Sequence, residues 1–344
     1  MFGLQNPRVT GQILRSADRL IKRFAKHILH LNEHTPDAKL HAKIRDGGLG
    51  FLDLRHFIPG FFLISLTGLL DHVDGRSLSA VLQCVETRRL IERLNTLKGD
   101  VPNDHLWRDR LMQAPTLEGL ENCTDDPASR SWIDQKPAGW TGQDFVRAVQ
   151  LRSNNLTVAG IMSKPPELRK CRAGCDKVES LSHVLQQCPA THWERIRRHN
   201  EVVKKVAGHC RKKQWTTEEE PHVQHQDGTL LKPDLVVHQN IRTLVVDVGV
   251  NWEGNQPLGV TYAAKRAVYH NNKFSEAARQ RWPGKTLQVL PLIVGARGIW
   301  PRCNGPTDET LKLTRALRAS CVHIALKWGS SIHQSFGRRV WRWR

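Results

Sequence analysis

The chain has 344 residues, enough for one large core or two to three smaller ones without a disulfide or metal staple. Its 52 Lys and Arg outnumber 33 Asp and Glu, a formal charge of +19 spread from Arg8 to Arg344. That balance points to a polyanionic partner, because neutralising phosphates releases counterions. Eight unevenly placed cysteines exclude a disulfide framework and suit a reduced, intracellular setting. The apolar run from Phe57 to Leu70 is broken by Pro59, Gly60 and Gly68 and is too short to span a bilayer, and the N-terminus lacks the pattern of a secretion signal. A soluble cytoplasmic or nuclear protein with no membrane partner is expected.

From Gly11 to Leu31, Ile13, Leu14, Ala17, Leu20, Ile21, Phe24, Ala25, Ile28 and Leu29 recur at helical spacing with Arg and Lys between them. This predicts a basic amphipathic helix whose apolar face needs a partner. His34-Thr35-Pro36-Asp37 breaks that helix, and Asp46-Gly47-Gly48-Leu49-Gly50 is a turn before a further helical region to about Met112, so residues 1–112 read as an α-helical unit. Thr116 to Gly142 is rich in Asp, Ser, Pro and Gly without apolar period, which predicts a loop or linker, and a boundary, within 113–165. A short helix from Phe145 to Arg152 follows it.

Within residues 166–192, Cys171-x3-Cys175-x7-His183-x4-Cys188 supplies three thiolates and one imidazole, the donor set of a closed tetrahedral zinc site. Gly174 lets the first pair bend around one metal, and so small a segment would draw much of its folding free energy from that metal. The alternative is three buried cysteines and a surface histidine. Cys84, Cys123, Cys210, Cys303 and Cys321 have no such partners. A basic helix is predicted from about Trp193 to Cys210; Arg195, Arg197, Arg198, His199, Lys204 and Lys205 on it, with Lys232 further on, are the candidate nucleic-acid contacts.

From Leu230 the period changes. Leu235-Val236-Val237 and Leu244 to Val250 read as buried strands, followed by a helix from Tyr262 to Arg281, a strand from Leu287 to Val294 and a last helix from Thr307 to Trp328, so residues 193–344 alternate α and β. Lys232-Pro233-Asp234 opens the first strand and Asp247 sits thirteen residues later within the next, so a hairpin would bring the two carboxylates together. Two close carboxylates suit a hard divalent cation, Mg²⁺ or Mn²⁺, able to position water against a phosphodiester. Tyr262, Lys265 and Tyr269 follow on one helical face. Singly, each residue has an ordinary structural explanation, yet an aspartate inside Leu-Val-Val-Asp-Val-Gly-Val is costly to bury without a partner.

Nearly the whole chain resembles the R-two-like, site-specific non-LTR retrotransposon polyproteins. The resemblance is carried by Thr35-Pro36 with His41-Ala42, Asp46 to Gly50, Leu151-Arg152-Ser153-Asn154, the Cys171 to Cys188 knuckle, Arg198-His199-Asn200, Lys232-Pro233-Asp234, Asp247, and Lys265 with Tyr269. It implies an α+β multi-domain chain: a helical reverse-transcriptase thumb, a linker, a CCHC zinc knuckle, and a restriction-endonuclease-like domain with a mixed sheet. By resemblance, Asp234 and Asp247 are metal ligands and Lys265 the catalytic lysine, displaced onto a helix because Gly249 stands where the usual motif has lysine; Tyr269 joins the catalytic set. The implied partners are ribosomal DNA, which is nicked so that the 3′ hydroxyl primes reverse transcription, and the element's RNA; the implied location is nuclear, in the nucleolus. The polymerase fingers and palm are absent, implying a fragment or truncated copy, and Asn155-Leu156-Thr157-Val158 stands where a proline is expected. A non-catalytic nucleic-acid-binding fragment and a repair or junction nuclease of the same fold are the rival readings.

Overall fold

A computed structural model describes residues 11–58, 106–161, 164–254 and 256–341. The chain divides into two compact units, Met1–Lys43 with Gly48–Leu111, and Ile44–Gly47 with Met112–Arg344.

In the first unit, helix α1 (Gly11–Ile28) buries Leu14, Asp18 and Ala25. Asp18 is enclosed because its two oxygens accept the backbone N–H groups of Leu54 (2.8 Å) and Arg55 (2.9 Å), capping a helix that begins there. Ile13, Leu20, Phe24 and Ile28, expected on a covered apolar face, are exposed. Gly48 is required sterically, since a Cβ there would strike the Ala42 carbonyl. Helix α2 (Leu106–Met112) ends the region. The rest of the helical region expected up to Met112, with the apolar run beyond Ile58 and Cys84, lies outside the described residues.

In the second unit, the stretch Thr116–Gly142 departs from the expected loop. It forms three short 3-10 turns and a helical turn, and it buries Leu117, Leu120, Cys123, Ala128 and Trp132. Its polar residues satisfy local backbone groups, as where Asp126 caps a turn by accepting from Ala128 N at 2.7 Å, which is why the segment lacks an apolar period yet packs. Helix α3 (Gly142–Arg152) starts in a reciprocal Thr141–Asp144 capping box. Arg152 is fully buried: its guanidinium donates to the carbonyls of Ser129, Arg297 and Gly298 and lies 5.3 Å over Trp132.

Helix α4 (Leu181–Gln186) and the long helix α5 (His192–Lys212) precede a four-stranded mixed sheet built of β1 (Thr216–Glu219), β4 (Leu235–Gln239), β5 (Arg242–Asn251) and β6 (Thr286–Gly295). β1, β4 and β5 are antiparallel neighbours, whereas β6 lies parallel to β5. A parallel neighbour needs a crossover, here α6 (Leu258–Tyr269) and α7 (Asn272–Arg281). β2 (Val223–Gln224) and β3 (Leu230–Leu231) make a separate small hairpin. Thr243 through Val250 are buried, as a strand covered on both faces requires. Val236, Val245 and Val289 share one face with Tyr269, Phe274, Ala277 and Trp282.

Two predicted helices are each divided. The helix expected over Tyr262–Arg281 breaks where Asn271 turns extended and accepts from Phe274 N at 2.8 Å, starting α7 afresh. The last helix splits at Lys312 (φ 51°) into α8 (Gly305–Leu311) and α9 (Arg315–Trp341). Gly329 in α9 is where Leu151 of α3 approaches, for a Cβ there would lie 2.6 Å from Leu151 Cδ2.

Candidate functional site

The Cys/His segment closes on itself. Cys171 N donates to Lys177 O at 2.8 Å, Lys170 and Val178 form an antiparallel bridge, and Gly174 takes φ 83° to complete the turn. Ser180 caps α4 by accepting from His183 N, which sets the histidine on the first turn facing the sulfurs. The Cys188 Sγ lies 3.9 Å from Cys171 Sγ and 3.7 Å from Cys175 Sγ, and one ligand atom from each of the four residues lies within 4.8 Å of the others. Among the described residues neither ring nitrogen of the buried His183 has a hydrogen-bond partner, and a metal would engage one of them. Burial pushes the Cys188 thiol up to about 12, raises that of Cys171 and depresses His183, so without a cation those two sulfurs keep their protons and the imidazole is neutral. The donor set and geometry can hold zinc. Behind it, Glu179 is buried, accepting from Ala159 N and from the Arg172 backbone and side chain, while Phe336 and Val340 of α9 pack against Cys171 and Cys188.

The second cluster lies on the sheet. Asp234 immediately precedes β4 and Asp247 is inside β5; residues Leu235 and Val246 pair in the antiparallel register, so the acids meet one position beyond that pair. The two carboxyls are electrostatically coupled, and their pKa values are pushed in opposite directions. Burial, opposed by the Lys265 charge and reinforced by Asp234, pushes Asp247 up to about 6. Asp234 is half-buried, and the hydrogen bond and charge of His199, with the Val248 N–H, outweigh its desolvation and hold it below the ordinary carboxylate value. Asp234 Oδ2 accepts from Val248 N at 2.7 Å and from His199 Nε2 at 3.1 Å. Lys265 Nζ donates to Asp247 Oδ2 at 2.9 Å.

Gly249 explains how a lysine from α6 reaches the strand. A Cβ at 249 would lie 2.8 Å from Lys265 Cε and 2.6 Å from Asn251 Oδ1, so the lysine stem fills the space that a side chain on β5 would take. Asp234, Asp247 and Lys265 are thereby brought together. Tyr269 is adjacent but engaged: it is buried, its hydroxyl donates to Lys232 O at 3.2 Å, and burial raises its pKa, so it stays protonated and braces the Lys232-Pro233-Asp234 turn.

The basic residues of α5 separate by face. Arg197, Lys204 and Lys205 are exposed. Arg198 is buried, donating to Leu185 O at 3.1 Å, and Arg195 donates to the Gln186 and Cys188 carbonyls; both close the C-terminal end of α4 and not an open surface. Lys232 is paired with Glu220 at 2.6 Å. His199, read from the sequence as a nucleic-acid contact, points instead at Asp234 and at Val248 O (3.2 Å), a placement that no local spacing signals.

Fold and clusters define the class first: a mixed α/β protein with a Cys₃His cluster able to hold zinc, and a sheet that pairs two aspartates with a lysine. No protein-family model matches the chain. Among curated proteins it is 51% identical over 345 residues to a "Retrovirus-related Pol polyprotein from type-1 retrotransposable element R2" of Popillia japonica, covering 100% of this chain and 57% of that protein. A second such protein of that organism is 46% identical over 344 residues, covering 99% of this chain and 77% of its own length. The "Retrovirus-related Pol polyprotein from type-2 retrotransposable element R2DM" of Drosophila melanogaster is 29% identical over 296 residues, 84% of this chain and 28% of that one. The chain belongs to the family of Pol polyproteins of R2 retrotransposable elements. It spans about half the length of the first two curated relatives it matches, 48% and 57%. No helix among the described residues is long and apolar enough to cross a membrane.

Proposed function

We propose that the second unit is a divalent-metal-dependent DNA endonuclease of the restriction-enzyme type, nicking one strand of a target duplex so that the freed 3′ hydroxyl primes copying of the element's RNA. One observation carries this reading: the antiparallel register sets the buried Asp247 opposite the half-buried Asp234, with Lys265 Nζ 2.9 Å from Asp247 Oδ2. Asp234, held below the ordinary carboxylate value, and Asp247 would hold the cation between them. A bound Mg²⁺ or Mn²⁺ would polarise the scissile phosphate and lower the pKa of the attacking water. Lys265, released from its ion pair, offers its charge to a phosphate oxygen, and the exposed Arg197, Lys204 and Lys205 supply phosphate contacts that position the duplex without reading its sequence. Zinc at Cys171, Cys175, His183 and Cys188 holds the knuckle closed. Its partners in this reading are ribosomal DNA and the element's RNA, and its site of action is the nucleus, in the nucleolus. The first unit is read as the thumb of the polymerase.

Incubation with supercoiled DNA and Mg²⁺ tests the reading. The wild type is expected to yield a nicked circle. Asp234→Ala and Asp247→Ala are expected to abolish nicking with DNA affinity retained, and Lys265→Ala to slow turnover without changing affinity. Full activity in either aspartate variant overturns the assignment, and wild-type binding without nicking leaves a nucleic-acid-binding role alone.

A further inference from the structure

We propose that His199 is a positioning residue that locks Asp234 as a one-oxygen ligand, presenting Oδ1 to the catalytic cation while Oδ2 is retained by the protein. The inference rests on the reading of Asp234 as a cation ligand. An aspartate just outside a strand has rotational freedom, and a ligand with two free oxygens can chelate, rotate away or share its cation with water. Here Oδ2 is held from two sides, by Val248 N at 2.7 Å and His199 Nε2 at 3.1 Å.

The direction of the histidine contact follows from its neighbours. Nε2 also lies 3.2 Å from the carbonyl of Val248. A backbone carbonyl can only accept, so Nε2 carries the hydrogen and has no lone pair for a metal. His199 therefore acts on the cation through Asp234. The ring's other nitrogen, Nδ1, is 3.1 Å from Asn200 Oδ1, which completes its fixed orientation.

The backbone beneath the ring is equally constrained. Arg198 is buried and donates to Leu185 O, and Val202 and Val203 are buried one turn on, so α5 cannot rotate to release the imidazole. The arrangement has the form of an outer partner that orients a ligand, whose removal typically weakens metal affinity about 10–100-fold.

The experiment uses the full chain and two readouts. Nicking of supercoiled DNA is followed across a Mg²⁺ titration for the wild type, His199→Ala and His199→Gln, while Mn²⁺ binding is followed by electron paramagnetic resonance, with Asp234→Ala as the background. His199→Ala is expected to raise the half-saturating Mg²⁺ concentration about tenfold or more and to weaken Mn²⁺ binding similarly, with most of the maximal rate recovered at saturating metal. His199→Gln places an amide N–H near the former Nε2 and is expected to restore metal affinity; if the alanine variant does not fold, His199→Leu, which keeps bulk but has no N–H, takes its place, and equal metal affinity of the leucine and glutamine variants overturns the proposal. An unchanged metal dependence accompanied by weaker DNA binding overturns the proposal and makes His199 a nucleic-acid contact. If the wild type nicks no DNA but Mn²⁺ binding still depends on His199, the endonuclease reading fails and the positioning role stands. No Mn²⁺ binding above the Asp234→Ala background overturns the proposal itself.

Discussion

At the residue scale, Asp247 sets a conflict between stability and function. Its folded pKa, about 6, is above its ordinary 3.8, so the folded state binds this proton more tightly than the unfolded chain does. The stabilisation is complete below the ordinary value and is lost as pH rises through about 6. Each unit of such a shift corresponds to about 1.4 kcal/mol. Asp247→Asn, neutral at every pH, is therefore expected to raise the thermal midpoint of the metal-free protein above about pH 7 and to leave it unchanged near pH 4, while eliminating nicking. Millimolar Mg²⁺ should raise the wild-type midpoint in the upper range and leave that of the asparagine variant alone. Equal pH profiles for the two proteins would remove the burial argument. The same cost made Asp247 visible in the sequence, because an acid inside a β-branched run demands a partner. The partner, Lys265, was named in the sequence by resemblance alone; the structure shows that the missing side chain of Gly249 leaves the room its stem fills.

At the element scale, α5 serves two structures with two faces. Among the described residues its buried Arg198 has no ion-pair partner and its Nε and Nη1 no hydrogen-bond partner, and burial presses its pKa down to about 9. Such a cation costs much of what its carbonyl bond contributes. Arg198→Met is accordingly expected to leave stability within about 1–2 kcal/mol and DNA affinity unchanged, whereas Arg197→Ala, Lys204→Ala and Lys205→Ala each lower affinity and reduce the salt slope by about 1. Filter binding across a salt series separates them; a larger loss for Arg198→Met than for the three alanine variants would return that guanidinium to the interface. In sequence all of these residues look alike, because basic charge reports attraction to phosphate and says nothing about which side of a helix is already covered. The division of the predicted Tyr262–Arg281 helix has a similar origin: Asn271 is unexceptional inside a helical pattern until the sheet below requires α6 and α7 to change direction.

At the scale of the whole molecule, the knuckle belongs to the larger unit. Cys171 and Cys188 pack against Phe336 and Val340 near the other end of that unit's chain, and Ser335 and Arg339 of α9 bond Glu194 at the start of α5. Stripping metal with a thiol-compatible chelator is thus expected to lower the melting transition of the whole 112–344 unit, with a matching loss in Cys188→Ser. An unchanged transition would mean that the cluster is closed by packing alone. The residues 116–142 show the same integration: they lack periodicity, and yet Trp132 is fully buried beneath Arg152, whose donors reach carbonyls of two distant loops. By itself, the sequence determined the charge, the metal-ligand spacing, the buried strands and the pair of acids thirteen residues apart, because each is a local pattern with a local cost. Tertiary structure alone decided which cations are buried, where helices end and what His199 faces, because those depend on partners far along the chain that burial, and no spacing, brings within hydrogen-bond reach.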